Sequence, residues 1–316
     1  MKTVKENGQL AVVAKRQLAK LGTDEKNNIL AVCAKALRDN AEFIVGENAK
    51  DMENAKNNNM PQGLQDRLML NVDRVNAMAE GLELIEKLPD PIGEVLDMRT
   101  LPNGLTVGQK RVPMGVIGII YEARPNVTSD AFGLCLKAGS AVILRGGSDA
   151  IHSNIATVSV FRKAIEGLGY NPDFVQLVED TTRASSTEMM TLNDYIDLLI
   201  PRGGKGLIQS VVKNATVPVI ETGVGNCHIY MDESGKIDDG VNIIVNAKAQ
   251  RVGVCNAAET LLVHKNIAKE IRLEIIPRRT ITAIQPDIKL WQKLCLMLCQ
   301  LQRKIGQLNT WTISLL

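Results

Sequence analysis

The sequence has 316 residues, of which 45% are apolar and 23% charged; this is the composition of a globular protein, and the chain is long enough for two domains. Its formal net charge of +2 gives no reason to expect a nucleic acid or a membrane surface as a partner. No apolar run reaches transmembrane length, and we expect no secretory signal because the first ten residues lack an apolar stretch.

The first 90 residues predict helices. Residues 22–40 carry apolar residues three or four apart after Thr23, a predicted N-cap, and residues 61–88 do the same after Pro61 at a helix start. We interpret both segments as amphipathic helices that pack one face into a core.

The apolar period changes after this helical part. Two strand-like runs flank Pro102, Asn103 and Gly104 within residues 99–113, which predicts a hairpin. Continuous apolar runs follow at 115–123, 140–147, 173–180 and 195–204, with helical sequence between them. Such runs are typical of strands buried on both faces, so we predict a parallel α/β sheet with ligands at the carboxyl ends of its strands.

Glycines follow two of the predicted strands, Gly146 and Gly147 after one, Gly203 and Gly204 after another. Each pair alone is typical of a plain turn. Two pairs at the ends of parallel strands favour nucleotide binding, because the backbone there can approach a phosphate and the following helix points its N–H groups at it. Neither pair matches the usual dinucleotide fingerprint.

Three other residues carry groups that could do chemistry. Glu221 follows an apolar run and is interpreted either as a base or polar-group ligand, or as an exposed acid at a strand end. Cys227 and His228 are adjacent, which is poor geometry for a shared metal, so we predict no metal site.

Cys255 lies between a polar run and an apolar strand-like run. A thiol in a polar loop with backbone N–H groups nearby can act as a nucleophile, whereas most intracellular cysteines are inert core residues. The six cysteines are scattered along the chain, so we expect a reducing, cytoplasmic setting.

Four long motifs resemble one known family: VPMGVIGIIYEARPNVTSDAFGLCLKAGSAVILRGGSDA, IPRGGKGLI, IETGVGNCHIYMD and NAKAQRVGVCNAAETLLVH. They resemble the glutamate-5-semialdehyde dehydrogenases, or gamma-glutamyl phosphate reductases, the proline-biosynthesis branch of the aldehyde dehydrogenase superfamily. The resemblance runs from the first helices to about residue 276. It implies an aldehyde dehydrogenase-like α/β fold, with a Rossmann-type parallel sheet for the cofactor, a partial α/β catalytic domain and an oligomerisation hairpin.

The resemblance also implies a reaction, in which NADPH reduces L-glutamyl 5-phosphate to L-glutamate 5-semialdehyde and phosphate leaves. Cys255 matches the family's nucleophile and would carry a thioester. By similarity, the Cys255 backbone N–H and the side-chain amide of Asn126 would stabilise the oxyanion.

The NADP(H) contacts implied by the superfamily pattern lie at the strand ends. Arg145 corresponds to the strand-end lysine that meets the adenine ribose, and an arginine suits a 2′-phosphate. Glu221 matches the acid of the hydrolytic relatives and is expected to position groups rather than activate water. The remaining cofactor contacts are expected at Gly146, Gly147, Gly203, Gly204 and Lys205.

For the substrate's carboxylate or phosphate, Arg124 and Arg183 are the candidates. The hairpin at 99–113 resembles the superfamily's oligomerisation strands, which implies a homo-oligomer if the C-terminus were complete. Glutamate 5-kinase is a further expected partner, whereas a nucleic acid or a membrane is not.

We expect an NADP-binding domain over residues 1–226, the start of a catalytic domain over 227–276, and an atypical tail over 277–316. The tail does not match the family, and its shift in composition indicates a changed reading frame or disorder. Alternatively, apolar residues three and four apart between Trp291 and Leu308 would form a docking helix.

Three functions remain open. The first is the reductase described above, and the second is an inactive remnant that retains nucleotide binding or protein association. The third is the same class of enzyme acting on another acyl phosphate or acyl thioester, which the long motif matches disfavour.

Overall fold

The computed structural model describes residues 2–223, 225–250, 254–275 and 310–314. The chain divides into two compact units, Met1–Thr222 and Gly223–Leu316. The sequence led us to expect this division between residues 226 and 227, inside the segment that the structure assigns to the second unit.

Helices dominate the first unit. They are α1 (Val4–Leu18), α2 (Thr23–Asp39), α3 (Ala41–Asn57), α4 (Gln62–Leu68), α5 (Val72–Lys87), α6 (Asn126–Lys137), α7 (Ile151–Gly167), α8 (Arg183–Met190) and α9 (Lys205–Asn214). The strands of this unit are β1 (Val95–Thr100), β2 (Thr106–Lys110), β3 (Val116–Tyr121), β4 (Ala141–Arg145), β5 (Val175–Leu177) and β6 (Leu198–Arg202).

The central sheet of the first unit has four parallel strands in the order β5-β4-β3-β6. Residues along β3 alternate between two cores: Ile117 and Ile119 pack into one, and Val116 and Ile120 pack into the other. Because side chains alternate across a strand, apolar residues at every position require cover on both faces. The parallel α/β fold predicted from the continuous apolar runs is confirmed.

Two helical predictions need correction. The segment 61–88 forms two helices, because the Asn71 side chain accepts a hydrogen bond from the Arg74 N–H at 2.8 Å and starts α5. The helix after Leu21 begins at Thr23, but its N-cap is Gly22, whose N–H donates to the Glu25 carboxylate at 2.7 Å. Thr23 instead donates its hydroxyl to Asp90 at 2.8 Å.

The predicted hairpin is present as the antiparallel pair β1 and β2, and it starts at Val95 rather than at residue 99. Every residue of both strands is exposed. Large apolar side chains are among them, for example Met98 at 63% and Val107 at 40% exposure.

In the second unit, α10 (Ile237–Ala249) connects the parallel strands β7 (Cys227–Met231) and β8 (Ala258–His264). Such a crossover by a helix is the connection that parallel neighbours require. The strand β9 (Thr310–Ser314) pairs antiparallel with β8, and α11 (Ala268–Ile275) follows β8 in sequence. Met231, Val241, Ile244 and Leu261 are among the buried core residues of this unit.

Of the tail 277–316, the structure describes only residues 310–314. The helical seam between Trp291 and Leu308 lies outside the described residues. The proposed change of reading frame and the expected disorder likewise concern residues that are almost entirely outside them.

Candidate active site

The carboxyl ends of β3, β4 and β6 lie side by side in the first unit, because the three strands are parallel neighbours. Gly203 and Gly204 follow β6 directly, and Lys205 is the first residue of α9. The first N–H groups of α9 therefore lie at this edge, where they can bind an anion.

A carboxylate that we did not predict already contacts these groups. The Gly204 N–H donates to the Glu122 carboxylate at 3.0 Å, and the Glu122 N–H donates to the Arg202 carbonyl at 3.2 Å. A Cβ on Gly203 would lie 2.7 Å from Glu122 Cδ, so only glycine leaves room for this approach. Glu122 follows β3 directly, which was the available signal, but its partner is more than 80 residues away in sequence.

The glycines after β4 differ in their surroundings. A Cβ on Gly146 would lie 2.2 Å from the Asn154 side-chain nitrogen and 3.2 Å from the Tyr121 ring. A Cβ on Gly147 would find its nearest neighbour, the Ala123 nitrogen, at 3.5 Å, an ordinary contact. Gly146 is therefore required for packing, while Gly147 lies beside the chain that leaves β3.

Arg145, the last residue of β4, is buried, and its guanidinium donates to three backbone carbonyls. These are Thr181 at 2.6 Å, Thr182 at 2.8 Å and Gly146 at 3.2 Å. Burial lowers the pKa of the guanidinium, an effect that the charge of Asp180 partly offsets. The Arg145 guanidinium, which we expected to contact a 2′-phosphate, thus donates to the carbonyls of Thr181 and Thr182 in the loop after β5.

The N-terminus of α7, which follows the β4 glycines, is occupied by a buried carboxylate. Asp51 accepts hydrogen bonds from the N–H groups of His152 at 3.2 Å and Ser153 at 2.8 Å, and from the Ser153 hydroxyl at 2.5 Å. Burial raises the pKa of Asp51, and these hydrogen bonds oppose the shift. The first N–H groups of α7 are therefore already bound by the Asp51 carboxylate.

Asn126 is the first residue of α6 and is exposed. Its side-chain amide donates to Asp130 at 3.1 Å, and burial raises the pKa of Asp130. Arg183 is exposed at the start of α8, directly after the Thr181–Thr182 segment that Arg145 holds. Arg124 follows β3, where its N–H donates to the Glu122 carbonyl at 2.7 Å.

Glu221 is exposed at the end of a short extended segment. Val219 forms a parallel bridge with Leu199 of β6, and the Ile220 N–H donates to the Leu199 carbonyl at 3.0 Å. Since this segment runs parallel to β6, Glu221 lies toward the same carboxyl edge as the glycines. All the candidates of the first unit therefore lie at one edge of its sheet.

Cys255 belongs to the second unit and is exposed, in a turn that the Ala257 N–H closes by donating to the Val254 carbonyl at 3.2 Å. The interpretation of Cys255 as a core residue is therefore wrong. Cys33 and Cys135, by contrast, are buried, and burial raises the pKa of each thiol to about 12.

In the ranges that the structure describes, we find no group of three or more His, Cys, Asp or Glu side chains arranged to hold a metal ion. Among the same residues, no helix is both long enough and apolar enough to cross a bilayer.

The sequence from residue 1 to 286 matches the aldehyde dehydrogenase family. The chain is 56% identical to a gamma-glutamyl phosphate reductase of Lachnospira eligens over 270 residues, which cover 85% of this chain and 65% of the relative. A gamma-glutamyl phosphate reductase of Heliobacterium modesticaldum is 57% identical over 263 residues, covering 83% and 63% of the two chains. The chain thus spans less than two thirds of the length of these two relatives.

A solved structure leads to the same group of proteins. The crystal structure of gamma-glutamyl phosphate reductase from Thermotoga maritima superimposes with a TM-score of 0.79 at 44% identity. The superposition covers 88% of this chain and 67% of the other. The match therefore includes most of the residues that form the two units described above.

Proposed function

The chain belongs to the aldehyde dehydrogenase family, and from this premise we propose that it reduces L-glutamyl 5-phosphate to L-glutamate 5-semialdehyde with NADPH, in proline biosynthesis. The observation that carries the proposal is the exposed thiol of Cys255, in a turn of a chain whose curated relatives are gamma-glutamyl phosphate reductases. Of the four cysteines for which the structure gives an exposure, Cys255 is the exposed one, whereas Cys227 is half-buried and Cys33 and Cys135 are buried.

The carboxyl edge of the first unit fits a dinucleotide. A Cβ at Gly203 would contact Glu122 at 2.7 Å, so a glycine here allows close approach to the start of α9. We propose that the first turn of α9, with Gly203, Gly204 and Lys205, holds the pyrophosphate of NADP(H). Gly147 lies beside Glu122 and Ala123, which follow β3, and Gly146 packs against Asn154.

For Arg145 we propose a positioning role in place of the 2′-phosphate contact that its resemblance to the superfamily lysine implies. Its three hydrogen bonds to carbonyls support a positioning role, in which it holds the loop at Thr181 and Thr182. We retain Glu221 as a residue that positions groups, and Arg124 and Arg183 as ligands of the substrate carboxylate or phosphate.

In the chemical step, the Cys255 thiolate attacks the acyl carbon of the acyl phosphate. The bond from that carbon to the phosphate oxygen breaks, phosphate leaves with the electron pair, and a thioester remains on Sγ. When bound, the reduced nicotinamide supplies a hydride that brings the acyl carbon to the aldehyde level. Collapse of the resulting thiohemiacetal releases the aldehyde and returns the Cys255 thiolate.

Negative charge develops on the substrate's carbonyl oxygen in both additions. We assign its stabilisation to the Cys255 backbone N–H and the Asn126 side-chain amide. An amide nitrogen carries two hydrogens, so the bond from Asn126 to Asp130 leaves one for the oxyanion.

A second function, an inactive remnant that still binds nucleotide, stays the alternative proposal.

The experiment that separates the two functions follows NADPH consumption with freshly generated glutamyl phosphate, and NADP reduction with semialdehyde and phosphate. We expect turnover in the purified chain that is lost in Cys255→Ala and retained in the matched control Cys227→Ala. A folded, NADP-binding protein without turnover would support the remnant. Full activity in Cys255→Ala would refute the role of this thiol.

We further propose a homo-oligomer formed through the hairpin, because its strands carry exposed apolar side chains such as Met98 and Val107. Sedimentation of Met98→Asp and Val107→Asp variants tests this. Association with glutamate 5-kinase and a cytoplasmic location remain proposals that rest on the resemblance and on the scattered cysteines.

A further inference from the structure

Two cysteines that are far apart in sequence lie near the starts of neighbouring strands in the second unit. Cys227 is the first residue of β7, and it pairs with Ala258, the first residue of β8. Cys255 lies in the turn directly before Ala258. Because parallel neighbours begin at the same edge of the sheet, the Cys227 thiol meets the backbone of Cys255 there, although 28 residues separate the two cysteines.

The contact between them is short. Cys227 Sγ lies 3.5 Å from the Cys255 carbonyl oxygen. Adding the C=O and Cα–C bond lengths to that 3.5 Å contact puts Cys227 Sγ within roughly 6 Å of the Cys255 Cα. Because the Cys255 sulfur is carried on that Cα, rotation of its side chain toward Cys227 with a small movement of the turn would bring the two sulfurs into bonding distance.

Exposure differs between the two thiols in a way that suits unequal roles. Cys255 is exposed and accessible to a dissolved oxidant, whereas Cys227 is half-buried. The segment before Cys227 is tightly apposed to the Cys255 turn, since a Cβ on Gly225 would lie 3.3 Å from the Cys255 carbonyl oxygen.

We propose that Cys227 is a resolving cysteine, which forms an intramolecular disulfide with Cys255 after a hydroperoxide has oxidised Cys255. In the first step the Cys255 thiolate attacks one oxygen of the hydroperoxide, the O–O bond breaks, and Cys255 sulfenic acid and an alkoxide or hydroxide result. In the second step the Cys227 sulfur attacks the sulfenic sulfur, the S–O bond breaks, and water leaves. The hydroperoxide is reduced, and the two thiols are oxidised.

The consequence is protection of the reactive thiol. Sulfenic acid that finds no second thiol proceeds to sulfinic and sulfonic acids, which are not reduced by ordinary thiols, whereas a disulfide is. This inference rests on the proposed function, because it takes Cys255 to be the reactive thiol.

The test treats the purified full chain with hydrogen peroxide and maps its cysteines by mass spectrometry of a non-reduced digest. We expect a linked peptide containing Cys227 and Cys255 that is lost on adding dithiothreitol. The buried Cys33 and Cys135 provide an internal control, because both should stay reduced in the folded protein. In Cys227→Ser, irreversibly oxidised Cys255 should accumulate several-fold faster than in the wild type, and dimedone should trap its sulfenic acid.

Equal rates of irreversible Cys255 oxidation in the wild type and Cys227→Ser, without a linked peptide, would overturn the proposal. The wild-type map alone decides the matter if Cys227→Ser fails to fold. Labelling of Cys255 by iodoacetamide, measured in parallel, distinguishes failure of the resolving role of Cys227 from failure of the proposed function. Labelling without a disulfide leaves the proposed function intact, whereas absence of both labelling and oxidation contradicts a reactive Cys255.

Discussion

The Glu122 carboxylate accepts a hydrogen bond from the backbone N–H of Gly204 at 3.0 Å, at the first turn of α9. This bond joins the first residue after β3 to the second residue after β6. It places a negative charge where we propose that the cofactor's pyrophosphate binds. Glu122 therefore stabilises the helix N-terminus in the free protein and competes with a phosphate for the same N–H group.

We expect Glu122→Gln to bind NADP more tightly, by roughly two- to fivefold, because a neutral amide competes less with the pyrophosphate for the helix N-terminus. Titration calorimetry with NADP measures the change. The matched control is Glu166→Gln, which removes the same charge near the C-terminal end of α7, at the opposite edge of the sheet. Weaker binding in Glu122→Gln would mean that the carboxylate holds the cofactor rather than competes with it.

We expect Arg145→Met to raise the dissociation constants of NADP and NAD by the same factor, because the arginine acts through the loop at Thr181 and Thr182. The free energy of unfolding should fall by about 1.5–3 kcal/mol, the range for hydrogen bonds that involve a charged group. Binding titrations and urea unfolding measure the two effects, with the exposed Arg16→Met as the control. A loss confined to NADP would instead assign the guanidinium to the 2′-phosphate.

The two glycines after β4 should respond differently to alanine. Gly146→Ala places a methyl group 2.2 Å from the Asn154 side-chain nitrogen, so we expect overpacking to cost about 1–3 kcal/mol of unfolding free energy. Gly147→Ala, whose nearest neighbour would be 3.5 Å away, should leave stability within about 0.5 kcal/mol of the wild type. Urea unfolding of the two variants provides the comparison. Equal effects would contradict the packing described for Gly146.

The buried Asp51 should make stability depend on acidic pH. Its pKa in the folded protein is raised above the ordinary value of 3.8, mainly by burial. Below that ordinary value Asp51 is neutral in both states, whereas at higher pH the unfolded state ionises first, which favours unfolding. The unfolding free energy of the wild type relative to Asp51→Asn should therefore fall as pH rises from 3.8 through the raised pKa, then level off.

Urea unfolding of both proteins over a pH series measures this difference. Groups other than Asp51 titrate in both proteins, so their contribution cancels in the comparison. A difference that rises with pH over the same interval would show that the hydrogen bonds to His152 and Ser153 outweigh burial.

Much of the first unit could be predicted from the sequence. Continuous apolar runs predicted the positions of β3, β4 and β6 within a few residues. A strand buried on both faces is apolar at nearly every position, so it is easily recognised in the sequence. The glycines after those strands were recognised because they directly follow the apolar runs in the sequence. The break at Asn71 was missed because the apolar spacing continues on both sides of it, and that spacing does not show that the Asn71 side chain caps a new helix.

The sequence by itself determined the local elements, the glycine turns and, through long motifs, the family, because each is encoded in residues near one another. Only the tertiary structure decided that Glu122 meets Gly204, that Arg145 donates to the carbonyls of Thr181 and Thr182 after β5, and that Cys227 contacts the backbone of Cys255. These contacts depend on which strands become neighbours. Strand order depends on how the faces of the sheet and the helices are buried against one another. The apolar spacing within a single segment therefore does not predict it.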